Sequence, residues 1–165
     1  MSLDQRKLPR HRSLRRRTRA IDTETRWATA RRLLHDDTLN PEDRVAGLLV
    51  LLYAQQAATI SRLTLDHIRS NGSEVHLVLG KEPIRLPEPL DALVLHLVAT
   101  RRGHATIADQ GTSSWLLPGG RPGHPMSSFQ LAERLHQIGI QPGPARSTAL
   151  FQLAADVSRR PTKPM

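Results

Sequence analysis

The chain has 165 residues, a length that fits one domain with some excess at its ends. It contains no cysteine, which excludes a disulfide framework and a thiolate metal site and fits a reducing cytoplasm. The formal net charge is +9, and eight Lys or Arg against one acid fall within residues 1–19.

The N-terminal segment, residues 1–21, has dense positive charge and no apolar periodicity, so we predict a flexible basic arm. Clustered cations neutralise phosphates and release counterions, which makes DNA the expected partner. No apolar stretch follows the arm, which argues against a secretion signal. A solvated tail or a contact with an anionic membrane surface remains open. The cations expected to contact DNA are Arg10, Arg12, Arg15, Arg16, Arg17 and Arg19.

Two helices are predicted after the arm. The first helix spans about residues 24–36. The second helix begins after Asn40, which is placed to cap it, and Pro41 occupies its first helical position. This second helix runs to about residue 56 and contains an apolar run of ten residues, well short of the roughly 20 that span a membrane. The inward positions are predicted to be Trp27, Ala30, Leu33 and Leu34 on the first helix and Val45, Leu48, Leu49 and Leu52 on the second.

A short helix is predicted over residues 57–65, and after it the spacing of the apolar residues changes from helical to alternating. Alternating apolar residues and the turn dipeptide Asn71-Gly72 predict antiparallel strands at about 67–70, 74–79 and 83–86. Pro83 lacks an N–H to donate, so the third strand is expected at the edge of the sheet.

The C-terminal half is predicted to return to helices. One spans about residues 88–102 and ends at Gly103, and a loop over 103–126 follows, with Trp115-Leu116-Leu117 as a buried anchor. A helix from Ser127 or Ser128 to Ile138 precedes Gly139, and a last helix covers about 145–157 before a polar tail, 158–165. Residues 22–157 are therefore predicted to form a mainly α domain with a small antiparallel β-sheet, of the α+β class.

Five short motifs follow one another along this domain. They are Leu63-Thr64-Leu65-Asp66-His67-Ile68, Gly80-Lys81, Leu86-Pro87, Leu117-Pro118-Gly119, and Gly139-Ile140 ahead of Arg146. In this order and at these spacings, over about residues 41–154, the chain resembles the catalytic domain of the tyrosine recombinases, the phage-integrase family, in an incomplete form.

The resemblance implies a chemistry for two residues. In that family a tyrosine hydroxyl attacks the scissile phosphate of DNA, while two arginines, a lysine and one or two histidines hold the phosphate and move protons. Lys81 matches the lysine of the hairpin and Arg146 the second arginine. A fixed guanidinium stabilises charge that develops on a phosphate, and a lysine can protonate the leaving hydroxyl. A solvated turn lysine and an ordinary surface arginine remain the alternatives.

Other parts of the family site have no counterpart. The first arginine falls on Gln56 or Ala58, depending on the motif from which the count starts, and neither is cationic. Gly143 stands where the family has a histidine three residues before Arg146. The nucleophile is expected well beyond Arg146, yet only 19 residues follow it, and the one tyrosine, Tyr53, is predicted to pack on the apolar helix.

We therefore predict a DNA-binding remnant of a site-specific recombinase that no longer cleaves DNA, located in the cytoplasm with the nucleoid. No cofactor and no metal site are expected, because the eight histidines are scattered over different elements. One alternative is a non-enzymatic interaction module or decayed gene product, in which lost C-terminal helices leave Leu131, Leu135 and Leu150 under-covered. Another is an active recombinase whose nucleophile comes from another subunit, so homo- or hetero-oligomers remain possible.

Overall fold

In the computed structural model, residues 23–104 and 114–159 are described. The predicted basic arm and the end of the predicted tail lie outside these residues. The helices are α1 (Thr23–His35), α2 (Pro41–Tyr53), α3 (Ala57–Ser61), α4 (Leu90–His104), α5 (Ser128–Gln137) and α6 (Pro142–Arg159), and a 3-10 turn covers Leu65–His67. The strands are β1 (Ile68–Ser70), β2 (Val75–Val78) and β3 (Pro83–Leu86). Within the described ranges, no helix combines the length and apolar character needed to cross a bilayer.

Helix α2 forms the centre of the fold. Asn40 caps it as predicted, since its side-chain oxygen accepts a hydrogen bond from the Glu42 amide at 3.0 Å. Every residue from Asp43 to Leu51 is buried, which is typical of a helix surrounded on all sides. Gly47 lets its neighbours approach closely, because a Cβ there would lie 2.7 Å from the Cδ1 atoms of both Ile140 and Leu33. The other helices therefore enclose α2.

The predicted sheet is confirmed. Three antiparallel strands lie in the order β1-β2-β3, with Ile68 opposite Leu77 and Leu77 opposite Ile84. Val75 and Leu77 are buried on the face toward the core, while His76 between them faces outward. Pro83 opens the edge strand β3, as its missing N–H requires.

Residues 114–126 are more ordered than the predicted loop. An isolated bridge pairs Thr64 with Trp115, and a second pairs Pro118 with Pro125. The indole Nε1 of Trp115 donates to the carbonyl of Gly123 at 3.0 Å. Gly119 is required by close packing, since a Cβ there would lie 2.6 Å from the Pro125 carbonyl oxygen. Residues 117–126 thus form a tight hairpin. Of the predicted buried anchor, Leu116 and Leu117 are buried, whereas Trp115 is only partly buried.

On α1, the structure corrects the predicted inner face. Trp27 is 46% exposed, whereas the neighbouring Arg26 is only 6% exposed. The Arg26 guanidinium lies 5.0 Å from the centre of the Trp27 ring, a cation–π contact in which the indole covers the charge. Burial lowers the pKa of Arg26, and the charge of Asp156 on α6 opposes that shift. The apolar pattern alone placed the wrong one of these two side chains inside.

Four predicted boundaries were also wrong. Helix α2 ends at Tyr53, three residues before the predicted end at about residue 56. Helix α4 continues through Gly103 to His104 because a single glycine costs a helix only about 1 kcal/mol. Helix α6 begins at Pro142, three residues before the predicted start, since proline suits the first turn. The piece after α2 is shorter than predicted, because α3 ends at Ser61.

The apolar side chains of the C-terminal helices are buried on α5 and partly exposed on α6. Ser127 caps α5 by accepting a hydrogen bond from the Gln130 amide at 3.1 Å. Leu131 and Leu135 on α5 are fully buried, which contradicts the alternative of a decayed gene product for both residues. Leu150 on α6 is 43% exposed, as that alternative expects.

Candidate nucleic-acid interface

Lys81 lies in the turn between β2 and β3. Its side chain is exposed, and within the described part of the chain it makes no hydrogen bond or ion pair. A lysine at the tip of a hairpin, with its ammonium group unpaired, is free to meet an anion from solvent. The exposed position of Lys81 therefore fits both the predicted contact with DNA and the alternative of a solvated lysine in a turn.

Arg146 lies in the second turn of α6 and not at its start. Its Nε donates a hydrogen bond to the carbonyl of Ala54 at 3.0 Å. Ala54 ends α2 in the left-handed conformation, with φ of +54°, and the last carbonyls of a helix have no partner within the helix. Arg146 is half-buried and thus caps the C-terminus of α2. This is a structural use of the residue that the sequence did not indicate.

The contact also brings Arg146 to the segment where the family's first arginine is expected. Ala54 is two residues from Gln56, which is the exposed N-cap residue of α3. Ala58, the other possible position, is exposed on the same short helix. The positions that the resemblance matches to the two family arginines thus lie on neighbouring segments, but only Arg146 carries a charge.

Tyr53 is the last residue of α2 and is partly buried against the core, as predicted. Burial raises the pKa of its hydroxyl above the ordinary value of 10.0. A phenol must lose its proton to act as a nucleophile, and a raised pKa makes that loss harder. Tyr53 is therefore poorly suited to attack a phosphate.

Several other arginines are committed to the fold. Arg44, which is buried, caps α1 by donating from Nε to Leu33 and from Nη2 to Leu34, both at 2.6 Å. Its third contact is an ion pair with Asp37 at 2.9 Å. Arg32 caps α5 in the same manner through the carbonyl of Ile138. Three helix ends are thus held by arginine side chains, which bind carbonyls with a planar group of five donors.

A network of charged side chains joins α2, α4 and α5. Glu42 pairs with Arg101 of α4 and accepts from Nη1 of Arg134 of α5 at 2.9 Å. Nε of Arg134 lies 2.8 Å from Oδ1 of Asp43, an ion pair without hydrogen-bond geometry. Burial, and secondly the charge of Arg134, lower the pKa of Arg101. No sequence pattern predicted the partners of Glu42 and Asp43, because Arg101 and Arg134 are distant from them in the chain.

The charge of the described body is close to neutral. Residues 23–102 and 114–156 contain thirteen Lys or Arg and twelve Asp or Glu, a net charge of +1. Of the twelve arginines in these ranges, the five described above bind carbonyls or carboxylates. The arm arginines, Arg10, Arg12, Arg15, Arg16, Arg17 and Arg19, lie outside the described residues, and their charge is known from the sequence alone.

In the described ranges, no three His, Asp or Glu side chains are placed to share a metal ion. Comparison with known proteins found no matching family model, no matching curated protein and no matching solved structure.

Proposed function

We propose that this protein binds duplex DNA through its basic N-terminal arm and does not cleave it. The observation that carries the proposal is the uneven charge: residues 1–19 hold a net +7, whereas the described body holds +1. An arm of this kind contacts phosphates irrespective of base sequence and raises the association rate with DNA. Lys81, which is exposed in its hairpin turn and makes no ion pair with a described residue, would add a contact from the body.

The proposal that cleavage is lost rests on the residues around Arg146. A phosphate site of the recombinase type needs two guanidinium groups, and Gln56 or Ala58 supplies none. The Nε of Arg146 is already engaged with Ala54. Tyr53 is the only tyrosine in the sequence, and burial raises the pKa of its hydroxyl. A nucleophile supplied by another subunit would still meet a site with one arginine, so we favour binding without chemistry.

A second candidate is a protein-interaction module, favoured by the apolar residues exposed on α6. Leu150, Phe151 and Leu153 are all exposed on the last two turns whose side chains are described. This candidate predicts association that persists at high salt, whereas binding to DNA weakens with salt.

The proposed function is tested on one DNA substrate with two measurements. A labelled duplex should bind the full chain with an affinity that falls steeply as salt rises. The same duplex, prepared in a series with a single nick at successive positions so that a covalent intermediate would accumulate, should give no protein–DNA species that survives denaturation. Absence of binding near physiological salt would refute the proposal, and a covalent species that Tyr53→Phe abolishes would refute the claim that cleavage is lost.

A further inference from the structure

The turn between β1 and β2 places an asparagine directly before a glycine at the protein surface. Asn71, Gly72 and Ser73 are all exposed. Two hydrogen bonds of 3.1 Å close the turn: the Asn71 amide donates to the Glu74 carbonyl, and the Glu74 amide donates to Oδ1 of Asn71. The turn therefore holds the side-chain carbonyl of Asn71, whereas Nδ2 of the same side chain makes no hydrogen bond to a described residue.

The backbone of this turn favours glycine after Asn71. Gly72 has a φ of +95°, a value that residues with a Cβ rarely adopt. A Cβ built there would meet no atom within 4 Å, so the space around it is open to solvent. The Gly72 amide also makes no hydrogen bond to any residue that the structure describes. The nitrogen that follows Asn71 in the chain is therefore neither shielded by a side chain nor engaged in the turn.

These features fit an intramolecular reaction of the Asn71 side-chain amide. The Gly72 nitrogen loses its proton to hydroxide and attacks Cγ of Asn71, which its neighbouring position in the chain keeps within reach. The bond from this nitrogen to Cγ forms and closes a succinimide ring, the bond from Cγ to Nδ2 breaks, and Nδ2 leaves as ammonia with a proton from water. The Glu74 amide, which donates to Oδ1, stabilises the negative charge that this oxygen gains during the attack.

We propose that Asn71 is a site of spontaneous deamidation, at which the side chain is converted through a succinimide to aspartate and isoaspartate. Water opens the ring at either of its carbonyls. Addition at the side-chain carbonyl breaks the bond from Cγ to the Gly72 nitrogen and yields aspartate, whereas addition at the backbone carbonyl yields isoaspartate. Each product gains a carboxylate, and no electrons are transferred. The inference does not depend on DNA binding.

The only other asparagine in the sequence, Asn40, is protected by the residue that follows it. Pro41 has a fully substituted ring nitrogen, which carries no proton to lose. In other respects the two asparagines are alike: both are exposed, and Oδ1 of Asn40 accepts from the Glu42 amide at 3.0 Å much as that of Asn71 accepts from a backbone amide. Asn40 is therefore a matched control within the same chain.

Conversion at this turn would alter the charge and the connection of the sheet. The Glu74 carboxylate pairs with Arg85 of β3 at 3.1 Å, and a carboxylate at position 71 brings a further negative charge to the same turn. Isoaspartate also adds a methylene to the backbone between Ser70 and Val75, which face each other in the ladder. The isoaspartate product should therefore loosen the pairing of β1 with β2 more than the aspartate product does.

The first test follows the mass of the intact chain during incubation at mildly alkaline pH, with the converted residue located by fragmentation at acidic pH, where the ring closes slowly. Asn71 should convert, and Asn40 should not. A peptide with the sequence of residues 69–74 gives the rate without a fold, and the folded chain should react within about tenfold of it, because an exposed turn opens at little cost in free energy. A folded chain that keeps Asn71 intact after the peptide has converted, or equal conversion of Asn40, would overturn the inference.

A second test changes the side chain itself. Asn71→Gln keeps an amide but places its carbon one bond further from the Gly72 nitrogen, so the variant should convert at least about tenfold more slowly than the unaltered chain. The side chain is exposed, so the fold should be retained. Undiminished conversion of this variant would place the reaction elsewhere in the chain and overturn the assignment to Asn71.

Discussion

Arg146 donates from its Nε to the carbonyl of Ala54 at 3.0 Å and so joins α6 to the end of α2. The contact crosses 92 positions of the sequence. It gives this arginine a role in the fold that is separable from any role at a phosphate, because the two roles predict different effects of the same substitution.

We expect Arg146→Ala to lower the free energy of unfolding by about 1–2 kcal/mol, because the Ala54 carbonyl loses its partner. Urea denaturation measures this loss, with Arg31→Ala as the control, since Arg31 is exposed and makes no ion pair with any described residue. Binding to duplex DNA should change little. A variant of unchanged stability and much weaker DNA binding would instead assign Arg146 to the phosphate.

Arg44 should be more important to stability than any exposed arginine. Its replacement by Met leaves the carbonyls of Leu33 and Leu34 without their donor in a buried setting, at a cost of about 2–4 kcal/mol. Asp37→Asn removes only the ion pair, and because the Asp37 side chain is 91% exposed this should cost less than about 1 kcal/mol. Thermal or urea unfolding of the two variants gives the comparison. Similar losses would show that the ion pair, and not the capping of α1, is the main contribution.

The raised pKa of Tyr53 predicts a loss of stability at high pH. The folded state holds the phenol proton more tightly than the unfolded chain, so stability is fully present below the ordinary pKa of 10.0 and is lost as pH rises through the folded value. Phenolate absorbance reports this residue alone, since the chain has one tyrosine. Tyr53→Phe should remove this part of the pH dependence while lysine titration remains. An absorbance midpoint at or below 10 would contradict the burial of the hydroxyl.

Gly47→Ala should destabilise the protein although alanine favours helices. The added Cβ would lie 2.7 Å from the Cδ1 atoms of Ile140 and Leu33, and overpacking of this kind costs about 1–3 kcal/mol, more than the gain of about 1 kcal/mol in helix propensity. Gly120→Ala is the matched control, because a Cβ there meets no atom within 4 Å. Equal stability of the two variants would show that the core relaxes around the extra methyl group.

The elements with local signals were predictable. Asn40 followed by Pro41 fixed the start of α2, and alternation around Leu77 gave the strands, because caps and side-chain periods are properties of neighbouring residues. The reversed burial of Arg26 and Trp27 was not predictable, because tertiary packing and not the local apolar pattern decides which side chain is enclosed.

The candidate site was predictable only as separate pieces. The position of Lys81 in a hairpin turn followed from the strands on either side. The contact of Arg146 with Ala54, and that of Arg134 with Glu42, join residues 92 positions apart and leave no periodic pattern. Capping and ion pairing within the fold account for Arg32, Arg44, Arg101, Arg134 and Arg146, and the sequence near these residues did not indicate those contacts.

The most direct test of the account is the salt dependence of duplex binding, measured by fluorescence anisotropy on the full chain and two triple variants. Arg15, Arg16 and Arg17→Gln neutralises the arm, and Arg31, Arg62 and Arg102→Gln removes the same charge from exposed body positions. We predict that the arm variant loses about 2–3 units of the slope of log affinity against log salt, as three lost phosphate contacts require, and that the body variant loses less than about one. Equal losses in the two variants, or no binding by the unaltered chain near physiological salt, would contradict the claim that this protein binds DNA through its arm.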